Sequence, residues 1–201
     1  MKNQWNERYG QDEYYYGTEP NSFLVEQSTR FNKGAKILCL AEGEGRNAVY
    51  LAKSGYDVTA VDSSQVGLDK LLKLAKKNGA AVKAICCDLN DFNFEDRRWD
   101  AVISIWCHLP SELRSKIHGK IVTSLKPDGL FLLEAYTPDQ LKFKTGGPQN
   151  PDLMPTLAQL ESELSKLKVI FKKEINRRVS EGIGHQGLSA VVQYIATKGG
   201  M

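Results

Sequence analysis

Residues 37–48 read ILCLAEGEGRNA, and this stretch decides the fold. An apolar, β-prone run passes into Gly43-x-Gly45, and a helical pattern opens near Arg46. A strand that ends in glycines before a helix lets a ligand approach bare backbone at the strand's carboxyl end, where open α/β sheets bind their ligands. Asp62 closes the next β-rich run about 20 positions after Gly43, which places its carboxylate to accept hydrogen bonds from a ribose diol.

Outward from that loop, between residues 36 and 134, short β-rich runs alternate with helical patterns. This is the signature of stacked β-α-β units with a parallel sheet buried on both faces. The strand runs are residues 35–40 (AKILCL), 57–61 (DVTAV), 82–86 (VKAIC), 101–105 (AVISI) and 130–134 (LFLLE), none with an interior Pro or Gly. Helices are expected over 46–53 and 65–78, stopped by Gly55 and Gly79. A third, over 111–125, is expected to open on the capping hydroxyl of Ser111 and to carry Leu113, Ile117, Ile121 and Leu125 on one face. The turn KPDG (126–129) then feeds the fifth strand.

After Glu134 the pattern changes, because residues 136–155 hold four of the seven prolines together with Gly146 and Gly147. A connection of that length reads as a lid-like binding loop, mobile until ligands order it. Thr156-x-x-Gln159 is a capping box, and Leu157, Leu160, Leu164 and Leu167 follow on one helical face. The runs 169–179 and 188–196, joined by a Gly-rich turn, read as an antiparallel hairpin at the sheet end.

With 201 residues, 41% hydrophobic and 25% charged, one domain is expected over 1–201. It divides into an aromatic cap (1–33), a cofactor-binding core (34–135), the lid-like loop (136–155) and a terminal helix with hairpin (156–198). There is no apolar run near membrane-spanning length and no signal-peptide core in residues 1–10, so a cytoplasmic protein without membrane contact is expected. Lys plus Arg number 27 against 24 Asp plus Glu, interspersed, which argues against the basic footprint of a nucleic-acid binder. Cys39, Cys86, Cys87 and Cys107 form no C-x-x-C pair and read as reduced core thiols, with no metal expected. Trp5, Tyr9, Tyr14, Tyr15 and Tyr16 crowd in front of Gly17, as a segment that caps the core or covers a ligand.

Two ligand classes fit the glycine loop. Gly43-x-Gly45-x-x-Ala48 satisfies a relaxed dinucleotide fingerprint, which keeps an NAD(P)-binding oxidoreductase open. Glu42 and Glu44, however, flank Gly43 where a dinucleotide would set its pyrophosphate, and they repel it. S-adenosylmethionine carries no phosphate and brings a cationic sulfonium and ammonium, which acidic neighbours favour. The third run ends in Cys86-Cys87-Asp88-Leu89-Asn90, where Asp88 can accept from an adenine amino group and Leu89 can face the ring. Past the fourth run, Trp106 can wall the acceptor or pack on the sulfonium, and His108 is a candidate general base. His185 and His118 read as incidental, the latter as a surface residue of its helix, and of adjacent Arg177 and Arg178 only one can line a pocket.

Over about residues 5–198 the sequence resembles the class I S-adenosylmethionine-dependent methyltransferases, in particular a branch related to bacterial tellurite-resistance methyltransferases. ILCLAEGEGRNA matches the family's glycine loop, VTAVDSS the ribose-binding strand end and CDLNDF the adenine-binding turn. WDAVISIWCHLP and LKPDGLFLLE match the fourth and fifth strands, and WNERYG with EYYYGTEPN the leading cap. The resemblance implies a Rossmann-like doubly wound α/β fold, with a mostly parallel seven-stranded sheet in the order 3-2-1-4-5-7-6 and the last strand antiparallel. It implies S-adenosylmethionine as cofactor, held by Tyr16, Gly17, Glu42, Gly43, Glu44, Gly45, Arg46, Asn47, Asp62, Ser63, Asp88 and Leu89. The expected reaction is direct displacement onto a small-molecule acceptor by a monomer or weak homodimer. Cys39 stands where the family usually has an acid and Ala41 where it usually has Gly, with Glu42 or Glu44 nearest to compensate. These departures also leave open a non-catalytic S-adenosylmethionine-binding regulatory protein. The SIWCHLP exit replaces the Asn/Asp-Pro-Pro-aromatic segment that clamps an extruded base, which disfavours nucleic-acid methylation.

Overall fold

Apolar runs become strands, and helices follow β1, β2 and β4 to cover the faces of the sheet. The computed structural model describes residues 2–200, and of residues 2 and 3 the backbone alone. In chain order the elements are α1 (Lys2–Tyr9), α2 (Ser22–Gln27), β1 (Lys36–Leu40), α3 (Arg46–Lys53), β2 (Asp57–Asp62), α4 (Gln65–Lys77) and β3 (Val82–Cys86). Then come β4 (Trp99–Ile105), α5 (Ser111–Ser124), β5 (Leu125–Tyr136), α6 (Leu157–Glu163), β6 (Lys168–Glu181) and β7 (His185–Thr197). They build a seven-stranded sheet in the order β3-β2-β1-β4-β5-β7-β6. Pairing is parallel from β3 to β5, and β7 runs antiparallel to both β5 and β6. Fold class, strand order and the antiparallel last strand all agree with the sequence reading.

Alternation along each strand separates two cores. Leu38, Leu40, Val61, Val102 and Phe131 pack against Ile117 and Ile121 of α5, Leu160 of α6 and Leu164 at its end. Ile37, Cys39, Val58 and Ala60 meet Ala48 and Leu51 of α3, Leu68 and Leu71 of α4, and Phe23 and Leu24 of α2. Full burial of each Leu or Ile contributes about 1.5–3 kcal/mol, so the interior of the sheet holds the glycine loop rigidly. Gly45, at φ +90°, is forced by this packing, since a Cβ there would stand 2.2 Å from Leu71 Cγ. Ala41 takes a left-handed φ of 48°, at a cost of about 1–2 kcal/mol for a residue with a Cβ.

Several expectations are corrected. Ser111 is the first helical residue, not the cap; Pro110 holds the cap position without a side-chain bond, and the Ser111 N–H donates to Asp152 at 3.1 Å. The KPDG turn lies inside β5, accommodated by a register shift between Trp99 and Ala101 and by Asp128 at φ 61°. Cys86 is exposed because β3 is an edge strand, whereas Cys39 and Cys107 are buried. His118 is buried, with Nδ1 2.7 Å from the Glu163 carboxylate, which also pairs with Arg114. The expected lid (136–155) contains short 3-10 turns at Pro138–Lys142 and Pro151–Leu153. Buried Gln140 anchors it, accepting from Ala190 N–H at 2.9 Å and donating to Thr145 Oγ1 and the Gly146 carbonyl. The capping box at Thr156 and Gln159 forms as expected.

Candidate active site

Parallel register brings the carboxyl ends of β1, β2 and β3 side by side, with Leu40 opposite Val61 and Asp62 opposite Cys86. Asp62 is buried, and its two oxygens accept from Gly43 N–H at 2.8 Å and Ser64 N–H at 2.7 Å. Burial raises its pKa, while bonds from the Ser64, Gly43 and Ser63 amides pull the other way. Asp88 accepts from Asn90 N–H at 2.9 Å, and buried Leu89 sits next to it.

Within the glycine loop, the acids have separate duties. Glu42 accepts from Ala48 N–H at 2.7 Å and from the Asn47 amide, capping α3 where Gly45 has no side chain to do so. Burial pushes its carboxyl up to about 7 against those bonds and Arg46. The amides that would receive a pyrophosphate at this helix start are therefore closed by a carboxylate. Glu44 turns toward the amino-terminal segment, 2.5 Å from Lys70 Nζ, and accepts from Tyr16 N–H at 3.4 Å. Asn47 accepts from Asn21 N–H at 2.9 Å.

The amino-terminal segment crosses this edge as a strap. Lys70 Nζ donates to the carbonyls of Tyr9, Gln11 and Glu13 at 3.3, 2.9 and 2.6 Å. The Tyr9 ring covers Gly43, where a Cβ would lie 2.5 Å from its hydroxyl. Gly17 adopts φ 71° beside the tip of the β6–β7 hairpin, and the Tyr15 carbonyl accepts from Ile183 N–H at 2.9 Å. Carboxylates at the ends of neighbouring strands, an apolar residue beside one of them, a glycine loop under the Tyr9 ring and helix amides closed to phosphate together fit an adenosyl ligand better than a pyrophosphate.

Past β4 stands an aromatic cluster. Trp106 is held left-handed at φ 56°, a strained conformation costing about 1–3 kcal/mol. Its indole N–H donates to Glu181 at 2.5 Å and its ring stacks on Tyr136 with centroids 4.5 Å apart. His108, the candidate base, is buried and bonded to main chain. Its Nε2 accepts from Tyr136 N–H at 3.2 Å, the ring also bonds the Trp106 backbone, and burial with His185 nearby pushes it down to about 3. His185, read as incidental, lies buried at the centre of the cluster, with ring centroids 4.6 Å from Tyr16, 4.9 Å from Trp106 and 5.2 Å from Tyr136. Its Nδ1 is 3.7 Å from Glu181 Oε2.

Beneath the cluster runs a buried polar network that sequence reasoning missed. Glu181 accepts from Arg46 at 2.5 Å and from Asn21 at 2.9 Å besides Trp106. Burial would raise its pKa, but His185, Arg46 and Trp106 outweigh that and hold it at about 2. Glu134 accepts from Arg177 at 2.8 and 2.6 Å, from Gln193 at 2.7 Å and from Asn21 at 2.6 Å. Arg177 faces inward and Arg178 outward, as alternation requires. The available signal was Glu134 itself, an acid inside the apolar run LFLLEAY that calls for a buried cation.

Residues 37–129 match the methyltransferase domain family. Over this stretch the chain carries a class I S-adenosylmethionine-dependent methyltransferase domain, of the class whose cofactor is S-adenosylmethionine. Within that class it is similar to the probable S-adenosyl-L-methionine-dependent methyltransferase TehB of Haemophilus influenzae, at 26% identity over 48% of this chain and 35% of the relative. The crystal structure of TehB from Haemophilus influenzae superposes with a TM-score of 0.73 at 19% identity, over 98% of this chain and 66% of that one. An uncharacterized methyltransferase of Bacillus subtilis, YbaJ, is 27% identical over 56% of this chain and 45% of its own length. The chain thus spans less than half the length of these two curated relatives. Among the described residues no helix is long and apolar enough to cross a membrane.

Proposed function

We propose that the protein transfers the methyl group of S-adenosylmethionine to a small-molecule acceptor by direct in-line displacement. The observation that carries this reading is the side-by-side placement of the glycine loop, Asp62 and Asp88 at the ends of β1, β2 and β3. Asp62 and Ser63 take the ribose, Asp88 and Leu89 the adenine, and the Gly43 and Gly45 backbone lies along the methionine portion. Glu42 or Glu44 compensates for the acid that Cys39 replaces, the first held by the Ala48 amide and the second by Lys70. Tyr16 and Gly17, in the strap, cover the cofactor. Arg46 and Asn47 act by fixing the loop through Glu181 and Asn21.

When bound, the cofactor supplies an electrophilic methyl group on a sulfonium that is already a good leaving group. The chain's part is alignment and exclusion of water, which together lower the barrier by several kcal/mol. Trp106, Tyr136, Tyr16 and His185 wall the acceptor side. Interspersed charge supports a small acceptor over a nucleic acid.

Calorimetry separates this reading from a dinucleotide enzyme. S-adenosylmethionine and S-adenosylhomocysteine are expected to bind at micromolar levels or tighter, and NADH and NADPH not at all. Preferential binding of a nicotinamide cofactor overturns the assignment. Turnover of any acceptor in a labelled-methyl screen excludes a purely regulatory role.

A further inference from the structure

Tyr9 is 5% exposed, and its ring is held from several sides. It stacks on Trp5 with centroids 5.6 Å apart and fills the gap between the glycine loop and the first turn of α4. A Cβ on Gly67 would lie 2.8 Å from its Cδ2, and one on Gly43 would lie 2.5 Å from its hydroxyl. Two polar anchors set the helix that carries it. Ser64 Oγ, at the cap of α4, donates to Asn6 Oδ1 at 2.6 Å, and Lys70 Nζ donates to the Tyr9 carbonyl at 3.3 Å.

The ring thus serves the fold, but the hydroxyl does not. Its oxygen forms no hydrogen bond with another described residue, and it is not sealed from solvent as the hydroxyls of Tyr136 and Tyr194 are. A phenol set this deep without a partner is costly, and Phe would pack as well without that cost. Burial first, and then the nearby Asp62 carboxylate, push its pKa well above the ordinary phenol range, so the group stays a protonated donor. A sugar diol held by Asp62 needs such a donor. Asp62 is acceptor-only and takes the O–H groups of the diol, which leaves the diol oxygens as acceptors. A lysine or arginine in that place would pair with Asp62 and take it from the sugar, whereas Lys70 and Arg46 are committed to Glu44 and Glu181. An uncharged phenol O–H supplies the donor without that competition.

Resting on the reading of Asp62 as the ribose acceptor, we propose that Tyr9 completes the ribose subsite from the amino-terminal strap, its hydroxyl donating to a sugar oxygen while Asp62 accepts from the sugar's O–H groups. The sugar is then gripped from the end of β2 and from α1 together. Lys70 and Ser64, which hold α1 in place, act as positioning residues for that contact.

Tyr9→Phe keeps the ring and removes the oxygen alone. Calorimetry on the full chain with S-adenosylhomocysteine, adenosine and 2′,3′-dideoxyadenosine, which lacks the diol, reads the effect. The Kd of S-adenosylhomocysteine and that of adenosine should each rise by about 3- to 10-fold, and that of dideoxyadenosine should not change. The thermal midpoint of the ligand-free variant should equal or exceed that of wild type, because no bond within the protein is lost. A lowered midpoint assigns the hydroxyl to the fold, a loss confined to S-adenosylhomocysteine assigns it to the methionine portion, and an equal loss with dideoxyadenosine removes the diol from the contact; each overturns the proposal. Should the variant not fold, amide exchange in the wild-type protein decides. At equal occupancy, adenosine should slow exchange over residues 5–9 more than dideoxyadenosine does, and equal protection overturns the proposal. If none of the three ligands binds the wild-type protein, the methyltransferase reading itself fails, whereas binding that Tyr9→Phe leaves unaltered refutes this proposal alone.

Discussion

Glu181 Oε2 lies 2.5 Å from Arg46 Nη2 and 2.5 Å from Trp106 Nε1, so one carboxylate at the end of β6 holds both the first residue of α3 and the exit of β4. The carboxyl-terminal hairpin thereby fixes the geometry of a glycine loop more than a hundred residues earlier. Removing that carboxylate leaves a buried guanidinium and an indole N–H without their partner. Glu181→Ala is therefore expected to destabilise the fold by about 3–5 kcal/mol. Urea denaturation measures this, and an unchanged midpoint would refute the network's role.

Asp62→Ala should weaken S-adenosylhomocysteine binding by about 1–3 kcal/mol, because the ribose loses a charged acceptor. The Gly43 and Ser64 amides lose theirs as well, so Asp62→Asn should fall between wild type and alanine. Asp88→Ala should lose less, as that residue is partly exposed and bonded to Asn90. Calorimetry on folded variants checks the ranking, and equal losses at both positions would show that β2 does not supply the ribose acceptor.

Glu42 and His108 give stability opposite pH slopes. Glu42 rises from 4.5 to about 7 on folding, so the folded chain binds that proton more tightly and loses stability as pH climbs between these values. His108 falls from 6.5 to about 3, so the unfolded chain is protonated first and stability drops as pH falls through that window. Glu42→Gln should accordingly gain stability relative to wild type as pH is raised from about 5 to about 8. Denaturation at a series of pH values reads this out; a difference from wild type that stays constant with pH counts against the raised carboxyl.

Lys70 pins the strap by charge and by main-chain carbonyls together. In Lys70→Met, amide exchange should accelerate across residues 9–17 while the amides of β1 and β4 keep their protection. Residues 140–146, bonded through Gln140, should be protected even without ligand. Fast exchange there in the wild-type protein that slows on adding S-adenosylhomocysteine would instead support the ligand-ordered lid expected from the sequence.

Much of the fold was legible because its signals are local. The breaker-free runs marked the strands, Gly55 and Gly79 stopped their helices, and the Thr156–Gln159 box capped α6 where expected. Ser111 misled because Pro110 takes the cap position and Asp152, from a distant loop, supplies the acceptor. His118 misled because the helical pattern of α5 says nothing of Glu163 on α6.

By itself the sequence determined the order of elements, the parallel sheet, the acidic glycine loop and the carboxylates that end β2 and follow β3. Each of these rests on periodicity, turn chemistry or spacing within a few tens of residues. Only the tertiary structure decided which titratable groups meet. It closed His108 with main-chain bonds, placed His185 against Glu181, and joined Asn21 to Glu181 across 160 positions. Contacts of that separation are set by strand order and by burial, which forces every enclosed charge to find a partner wherever the fold brings one.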